Sequence, residues 1–265
     1  MPPKPGPESA AESQLRKFYD TTGWKPAASG ETIDAALWED LRPCAADYVS
    51  NCRKRILNYL PRTGDRFLDA ASGPIQYPEY LEYSAGFAKR VCVDISKVAL
   101  EEAQRKLGNR GETVCASILD LPFAESSFDA VLSLHTIYHI AAEDQERAVR
   151  QLIRVAKPGV DIVVVYSNPD RLSMRMRRLF GKAPVPQGPI YFHAYPLEWW
   201  SRFSDQAEVS IHPWRFLTAG ESRRLVPAGA LGRFLFGMLR RVEDWLPGFS
   251  VLFGAYPLIV LKKTG

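Results

Sequence analysis

The stretch Arg66-Phe67-Leu68-Asp69-Ala70-Ala71-Ser72-Gly73 decides the fold. Its apolar run is short, meets an acid and gives way to small side chains, which predicts a buried strand of a parallel sheet delivering its last residues to a ligand. Small residues there let backbone N–H groups come close to a bound molecule. Downstream, Val91-Cys92-Val93-Asp94-Ile95-Ser96 reads as a second buried strand that also ends in an acid. Asp94 follows Asp69 at close to the spacing, about 20 residues, at which nucleotide-binding sheets place the acid that grips a ribose diol.

Other elements extend this pattern in both directions. A helix is expected over residues 74–87, carrying Tyr77, Tyr80 and Tyr83, with Pro74 in a first turn that needs no N–H. Its N-terminus would face an anionic group. Ser96 caps a second helix, Lys97 to Leu107, closed by Gly108. A third strand, Thr113 to Ser117, leads into Ile118-Leu119-Asp120-Leu121-Pro122-Phe123, and a fourth, Phe128 to Leu134, into His135-Thr136-Ile137-Tyr138-His139. After a helix from about Glu143 to Val155, Lys157-Pro158-Gly159 turns the chain into the β-branched strand Asp161 to Tyr166.

This order of landmarks resembles the class I S-adenosylmethionine-dependent methyltransferases, in their small-molecule, type 11-like branch. The resemblance covers residues 60 to 170 and implies a doubly wound α/β fold: a seven-stranded Rossmann-like sheet with an N-terminal helical lid and C-terminal insertions. Residues 1–12 are expected as a disordered arm and 13–62 as the lid. The sheet domain fills 63–265, with substrate-side insertions at about 168–200 and 216–250. Helical spacing supports the lid, first over Glu12 to Trp24 and then over Asp34 to Leu60. Strands six and seven, Glu208 to Trp214 and Ala255 to Lys262, would form an antiparallel pair.

The resemblance implies S-adenosyl-L-methionine as cofactor and assigns its contacts. Asp69, Ala71 and Gly73 would hold the methionine part, and Asp94 with Ile95 the ribose. Ser117 stands where the family usually has an acid for the adenine amino group, with Ile118 beside it reading the ring and Leu134 at the end of strand four. Tyr19 is the candidate lid residue. Ala71 and Ile75 occupy positions where glycine is usual, so any positive φ there must be met differently or be absent. Methyl transfer needs alignment and a dry site, and a base only for a hydroxyl or a carbon acid. Histidine suits that work near neutrality, so His135 is the leading base, with His139 and Tyr138 as further catalytic candidates. No metal is called for. An aromatic segment, Tyr191, Phe192, His193, Tyr195, Trp199 and Trp200, is either substrate pocket or core.

Composition narrows the alternatives. The 265 residues are 46% apolar and 24% charged, a globular balance. A net charge of +4 is too small for a nucleic-acid footprint. Four cysteines without a C-x-x-C pair indicate neither disulfides nor zinc, and the N-terminal residues lack a signal-peptide core, so a cytoplasmic location is expected. The expected partner is a small-molecule or lipid-like acceptor, probed by two basic and apolar runs, 171–182 and 231–241, that could also make peripheral membrane contact. Three readings stay open: methylation of a small hydroxyl compound, methylation of a lipid at a membrane surface, and a catalytically silent cofactor-binding subunit. A nicotinamide-dependent oxidoreductase is disfavoured because Asp69 to Ile75 holds one glycine instead of G-x-G-x-x-G.

Overall fold

The computed structural model describes residues 9–28, 30–181 and 188–265. Three helices, α1 (Ala10–Phe18), α2 (Ile33–Trp38) and α3 (Ala46–Lys54), precede β1 (Gly64–Ala70). The chain continues through α4 (Pro78–Glu82), β2 (Phe87–Asp94), α5 (Lys97–Leu107), β3 (Gly111–Cys115), β4 (Ala130–Leu134), α6 (Gln145–Val155) and β5 (Asp161–Val165). It ends with α7 (Leu172–Leu179), β6 (Ala207–Arg215), α8 (Ala219–Leu225), α9 (Gly229–Trp245), α10 (Pro247–Phe253) and β7 (Tyr256–Lys263).

The strands form one sheet in the order β3-β2-β1-β4-β5-β7-β6. The first five pair in parallel, while β7 runs antiparallel to both β5 and β6. Strand order reverses between β1 and β4, which opens a crevice at their carboxyl ends. Both sheet faces are covered, as the near-continuous apolar strands require. Leu68, Val91, Val131 and Val164 pack one face against α6 and the Trp199, Trp200 and Phe203 cluster. Phe67, Leu132, Val163 and Leu258 pack the other against Tyr48 and Cys52 of α3 and Phe236 of α9.

Three sequence expectations are corrected. The disordered arm over 1–12 does not reach its expected end: Ser9 caps α1 by accepting the Glu12 N–H, and the Glu12 carboxylate returns to the Ser9 N–H. Residues 1–8 lie outside the described part, as does Lys182 of the first basic run. The helical run from Asp34 to Leu60 is broken into α2 and α3, with Pro43, which has no N–H to donate, in the break. The helix expected over 74–87 shrinks to Pro78–Glu82.

The cause of that shortening lies in the loop after β1. Ala71, Gly73 and Ile75 have φ of +59°, +54° and +50°, left-handed values that no right-handed helix contains. The positive-φ requirement is therefore present, and two non-glycine residues meet it. For an L-residue this costs roughly 1–2 kcal/mol. Replacing Ala71→Gly should raise stability by about 1 kcal/mol. Thermal unfolding checks this; an unchanged or lower Tm would show that the loop carries no strain.

Candidate cofactor and acceptor cavity

A cavity of about 670 Å³ lies over the carboxyl ends of β1, β2 and β4. That size suits a small ligand or cofactor. Asp69, Ala71, Gly73, Asp94, Ile95, Ile118 and Leu134 line one part of it, under a roof of Glu12, Tyr19 and Trp24. His135, Tyr138, His139, Phe192, Trp214, Arg215 and Tyr256 line the rest.

Asp94 closes β2 and holds two loops at once. Its Oδ2 accepts the Gly73 N–H at 2.9 Å and its Oδ1 the Ser96 N–H at 2.8 Å. Burial pushes its pKa up to about 6, against the pull of those two bonds. It is thus a carboxylate at neutral pH, with lone pairs left for a diol. Asp69 stands behind it on β1, paired at 2.5 Å with Arg90, whose side chain is 1% exposed. Arg90 also donates to the Tyr80 carbonyl, so one buried guanidinium fixes the floor of the cavity and the start of α4. Removing one partner of such a pair costs about 3–5 kcal/mol.

Ser117 is not brought to the cavity with the other expected cofactor residues. Its hydroxyl donates to the Glu12 carboxylate and accepts the Leu119 N–H at 3.0 Å. Glu12, from α1, lines the cavity instead. The same N-terminal segment makes two further ties. Ser96 Oγ donates to Asp20 at 2.6 Å, and the Trp24 ring lies over Gly73, where an added Cβ would come within 3.2 Å of it. Tyr19 stacks on Trp24 with centroids 4.6 Å apart and donates to Asp34 at 3.2 Å. The segment so crosses the ends of β1, β2 and β3.

His135 leaves β4 at a φ of +56°, the third strained non-glycine residue at this crevice. Its ring sits 4.8 Å from Trp214 and 5.1 Å from Tyr256, and its Nδ1 is 2.8 Å from the Tyr138 hydroxyl. Burial, aided by the nearby Arg215 cation, lowers its pKa to about 3. The imidazole is therefore neutral at neutral pH. His139 is also neutral, lowered by burial to about 4, and its Nδ1–H donates to the Tyr191 carbonyl at 2.7 Å. Tyr138 stays a phenol because burial raises its pKa.

The aromatic segment divides. Phe192 lines the cavity, whereas Tyr195 stacks on Trp199 and both tryptophans belong to the core. Sequence reasoning missed Glu12, Trp24, Asp34, Glu39, Arg90 and Arg215. An arginine inside the apolar run of β2 was a usable signal for Arg90. The capping pattern of Ser9 and Glu12 marked a helix start, but nothing local told which strand that helix would meet. Arg215, on β6, is buried against Glu39 at 2.7 Å, with Nε and Nη2 lacking partners among the described residues.

These groups fit a nucleoside carrying a diol and an amino acid. Asp94 offers carboxylate lone pairs, the left-handed Gly73 turn packs tightly under the Trp24 ring, and Glu12 offers an acceptor further along the wall. Comparison with known proteins agrees. A profile described as a methyltransferase domain matches residues 68–164. The demethylmenaquinone methyltransferase of Clavibacter sepedonicus is 31% identical over 187 residues, 69% of this chain and 68% of that one. The O-methyltransferase resE of Aspergillus sclerotiorum is 25% identical over 183 residues, and the match spans 64% of each chain. In fold, the chain is similar to geranyl diphosphate C-methyltransferase from Streptomyces coelicolor, crystallised with S-adenosyl-L-homocysteine: TM-score 0.59, 14% identity, 98% of this chain and 99% of that one. With the strand order, the Asp94 site and these likenesses together, the chain belongs to the class I S-adenosylmethionine-dependent methyltransferases of the type 11-like branch.

Proposed function

We propose that the protein methylates a hydroxyl group of a small organic acceptor, with His135 taking the hydroxyl proton. The observation that carries this reading is that Asp94 and the neutral His135 line one cavity. S-adenosyl-L-methionine, when bound, supplies an electrophilic methyl group on a sulfonium. Asp94 would accept from both ribose hydroxyls, with Ile95 beside it. Asp69, Ala71 and Gly73 would hold the amino-acid part, Ile118 the adenine ring, and Leu134 at the end of β4 would line the same site. Glu12 takes the adenine amino group in place of Ser117, which acts by orienting the Glu12 carboxylate. Tyr19 and Trp24 close the roof and keep water out.

The low proton affinity of His135 matters for its role. An imidazole with a pKa near 3 cannot ionise a free alcohol. As the acceptor oxygen gains the methyl carbon, its O–H becomes a far stronger acid than an imidazolium, and the proton then passes downhill to Nε2. The O–H bond leaves its electron pair on the oxygen. This step needs the tautomer in which Nδ1–H donates to the Tyr138 hydroxyl, 2.8 Å away, and Nε2 is open; His139 is a second neutral imidazole in the same wall. Low basicity also keeps His135 neutral, so no acid form competes with this step. The left-handed turns at Ala71 and Ile75 support a working cofactor loop over a catalytically silent one. The O-methyltransferase relative is consistent with an oxygen acceptor. A lipid or lipid-linked acceptor is the second reading, favoured by a second cavity of about 530 Å³, lined by Leu172, Met176, Phe180 and Phe253 among others, that shares Arg171, Met174, Thr218 and Gly220 with the first.

His135→Ala should lower kcat about 10²- to 10⁴-fold and leave S-adenosylhomocysteine affinity within about twofold. Equal loss of both would assign His135 to packing. Glu12→Gln should weaken S-adenosylhomocysteine binding about tenfold or more, as for a hydrogen bond to a charged group; titration calorimetry showing no change would remove Glu12 from the site. Cofactor affinity should also fall with acidity. Asp94 must be charged to accept both hydroxyls, and its pKa is raised to about 6, so the charged form is complete above pH 7 and lost as pH falls through 6. Affinity at pH 5 should be roughly tenfold below that at pH 7, and a flat profile would contradict this.

A further inference from the structure

The end of β6 carries an irregularity that the cofactor contacts do not use. Pro213 pairs with Pro257 and Arg215 with Tyr256, so Trp214 is an extra residue, a β-bulge in the pairing with β7. Successive side chains of a regular strand point to opposite faces, whereas Trp214 and Arg215 both line the cavity that holds His135, the re-aiming that bulges produce. The bulge sets Arg215 beside the candidate base. The rings that flank His135, at 4.8 Å and 5.1 Å, belong to the residue before Arg215 and to its cross-strand partner Tyr256. Arg215 has 4% of its side chain exposed, and its ion pair with Glu39 uses Nη1 alone. Glu39 is shared, since its other oxygen pairs with Arg53 at 2.8 Å. The Nε and Nη2 atoms form one edge of the guanidinium; both are closed to water and have no hydrogen-bond partner among the described residues. Buried donors are seldom left without an acceptor, and two N–H groups on one edge match the two oxygens of a carboxylate. A second cation on the cavity wall, Arg223, gives its hydrogen bonds to the carbonyls of Ala36, Leu37 and Glu39, which do not neutralise its charge.

We propose that the acceptor is a hydroxy acid whose carboxylate is held by Arg215, the side chain turning its Nε and Nη2 edge into the cavity that it lines, while the hydroxyl lies at His135. The hydroxyl part rests on the methyl-transfer reading, whereas the anion site stands on Arg215. Phe192, Trp214 and Tyr256 give the same wall aromatic faces, which suit a flat ring joining the two groups. The carboxylate also bears on the base. Burial first, and then the Arg215 cation, hold the proton affinity of His135 down. A carboxylate on Arg215 offsets the second of these, so the imidazole becomes a better acceptor for the hydroxyl proton once this substrate is seated.

Matched acids and amides test it: the three hydroxybenzoates, with the hydroxyl ortho, meta or para, against the corresponding hydroxybenzamides, titrated calorimetrically into the full chain saturated with S-adenosylhomocysteine. At least one acid should bind about tenfold or more tightly than its amide, as for hydrogen bonds to a charged group. Arg215→Lys keeps a cation for Glu39 but loses the two-pronged edge. It should weaken that acid about tenfold, leave the amide unchanged and keep wild-type S-adenosylhomocysteine affinity. Acids that wild type binds no better than amides, or not at all, would overturn the proposal, and this comparison needs no variant to fold. So would an acid bound equally by Arg215→Lys and wild type, which would leave the edge to structural water. Methyl transfer is read separately, as S-adenosylhomocysteine formed from S-adenosylmethionine and the preferred acid. A binding preference without product would overturn the hydroxyl part and leave the anion site standing. Product formed as readily from an amide as from its acid would overturn the anion site and leave the hydroxyl reading in place.

Discussion

The carboxylate of Asp94 is the tie on which the crevice depends. It joins the Gly73 turn after β1 to the Ser96 cap of α5, so the loop and the helix that border the cavity are held by one group. Its burial raises the cost of its charge, a cost that two hydroxyls donated by a bound diol would offset. The buried Arg90 and Asp69 pair beneath it serves the other side of the same loop, fixing the floor through hydrogen bonds to β1 and to the start of α4.

Strain and neutrality gather at the same crevice. Ala71, Ile75 and His135 all hold left-handed backbone, although none is glycine. Each persists because the surrounding sheet over-determines it, with Ile75 and Ala70 at the end of β1 sealed in the core. His135 leaves its strand with its ring turned between Trp214 and Tyr256, and the desolvation that follows makes it a weak base. A weak base suits a reaction in which the acceptor becomes strongly acidic only as the new bond forms. The N-terminal segment completes the enclosure from outside the sheet domain: Glu12, Asp20 and Trp24 tie it to Ser117, to Ser96 and to the Gly73 turn.

Much of this was legible in the sequence, because strands covered on both faces write themselves as apolar runs. All seven strands stand within a few residues of their expected positions, as do Asp94 at the end of β2 and His135 after β4. What was not legible depended on distant contacts. The left-handed turns at Ala71 and Ile75 are imposed by packing against propensity, so a helix expected from Pro74 begins only at Pro78. The Glu12 and Ser117 contact joins residues more than a hundred positions apart, and no local pattern encodes it. The aromatic segment after α7 looked uniform in sequence, yet Phe192 faces the cavity while Trp199 and Trp200 fill the core. Alternating burial in irregular chain has no fixed period to read.

The central claim is that one cavity seats the nucleoside at Asp94 and Glu12 and presents the reacting methyl to His135. A crystal structure of the complex with S-adenosyl-L-homocysteine tests it most directly. The account predicts both ribose hydroxyls on the Asp94 carboxylate, the adenine amino group on Glu12, and the sulfur pointing toward the space beside His135 Nε2. A ligand bound with its ribose away from Asp94, or with its sulfur turned from His135, would contradict it.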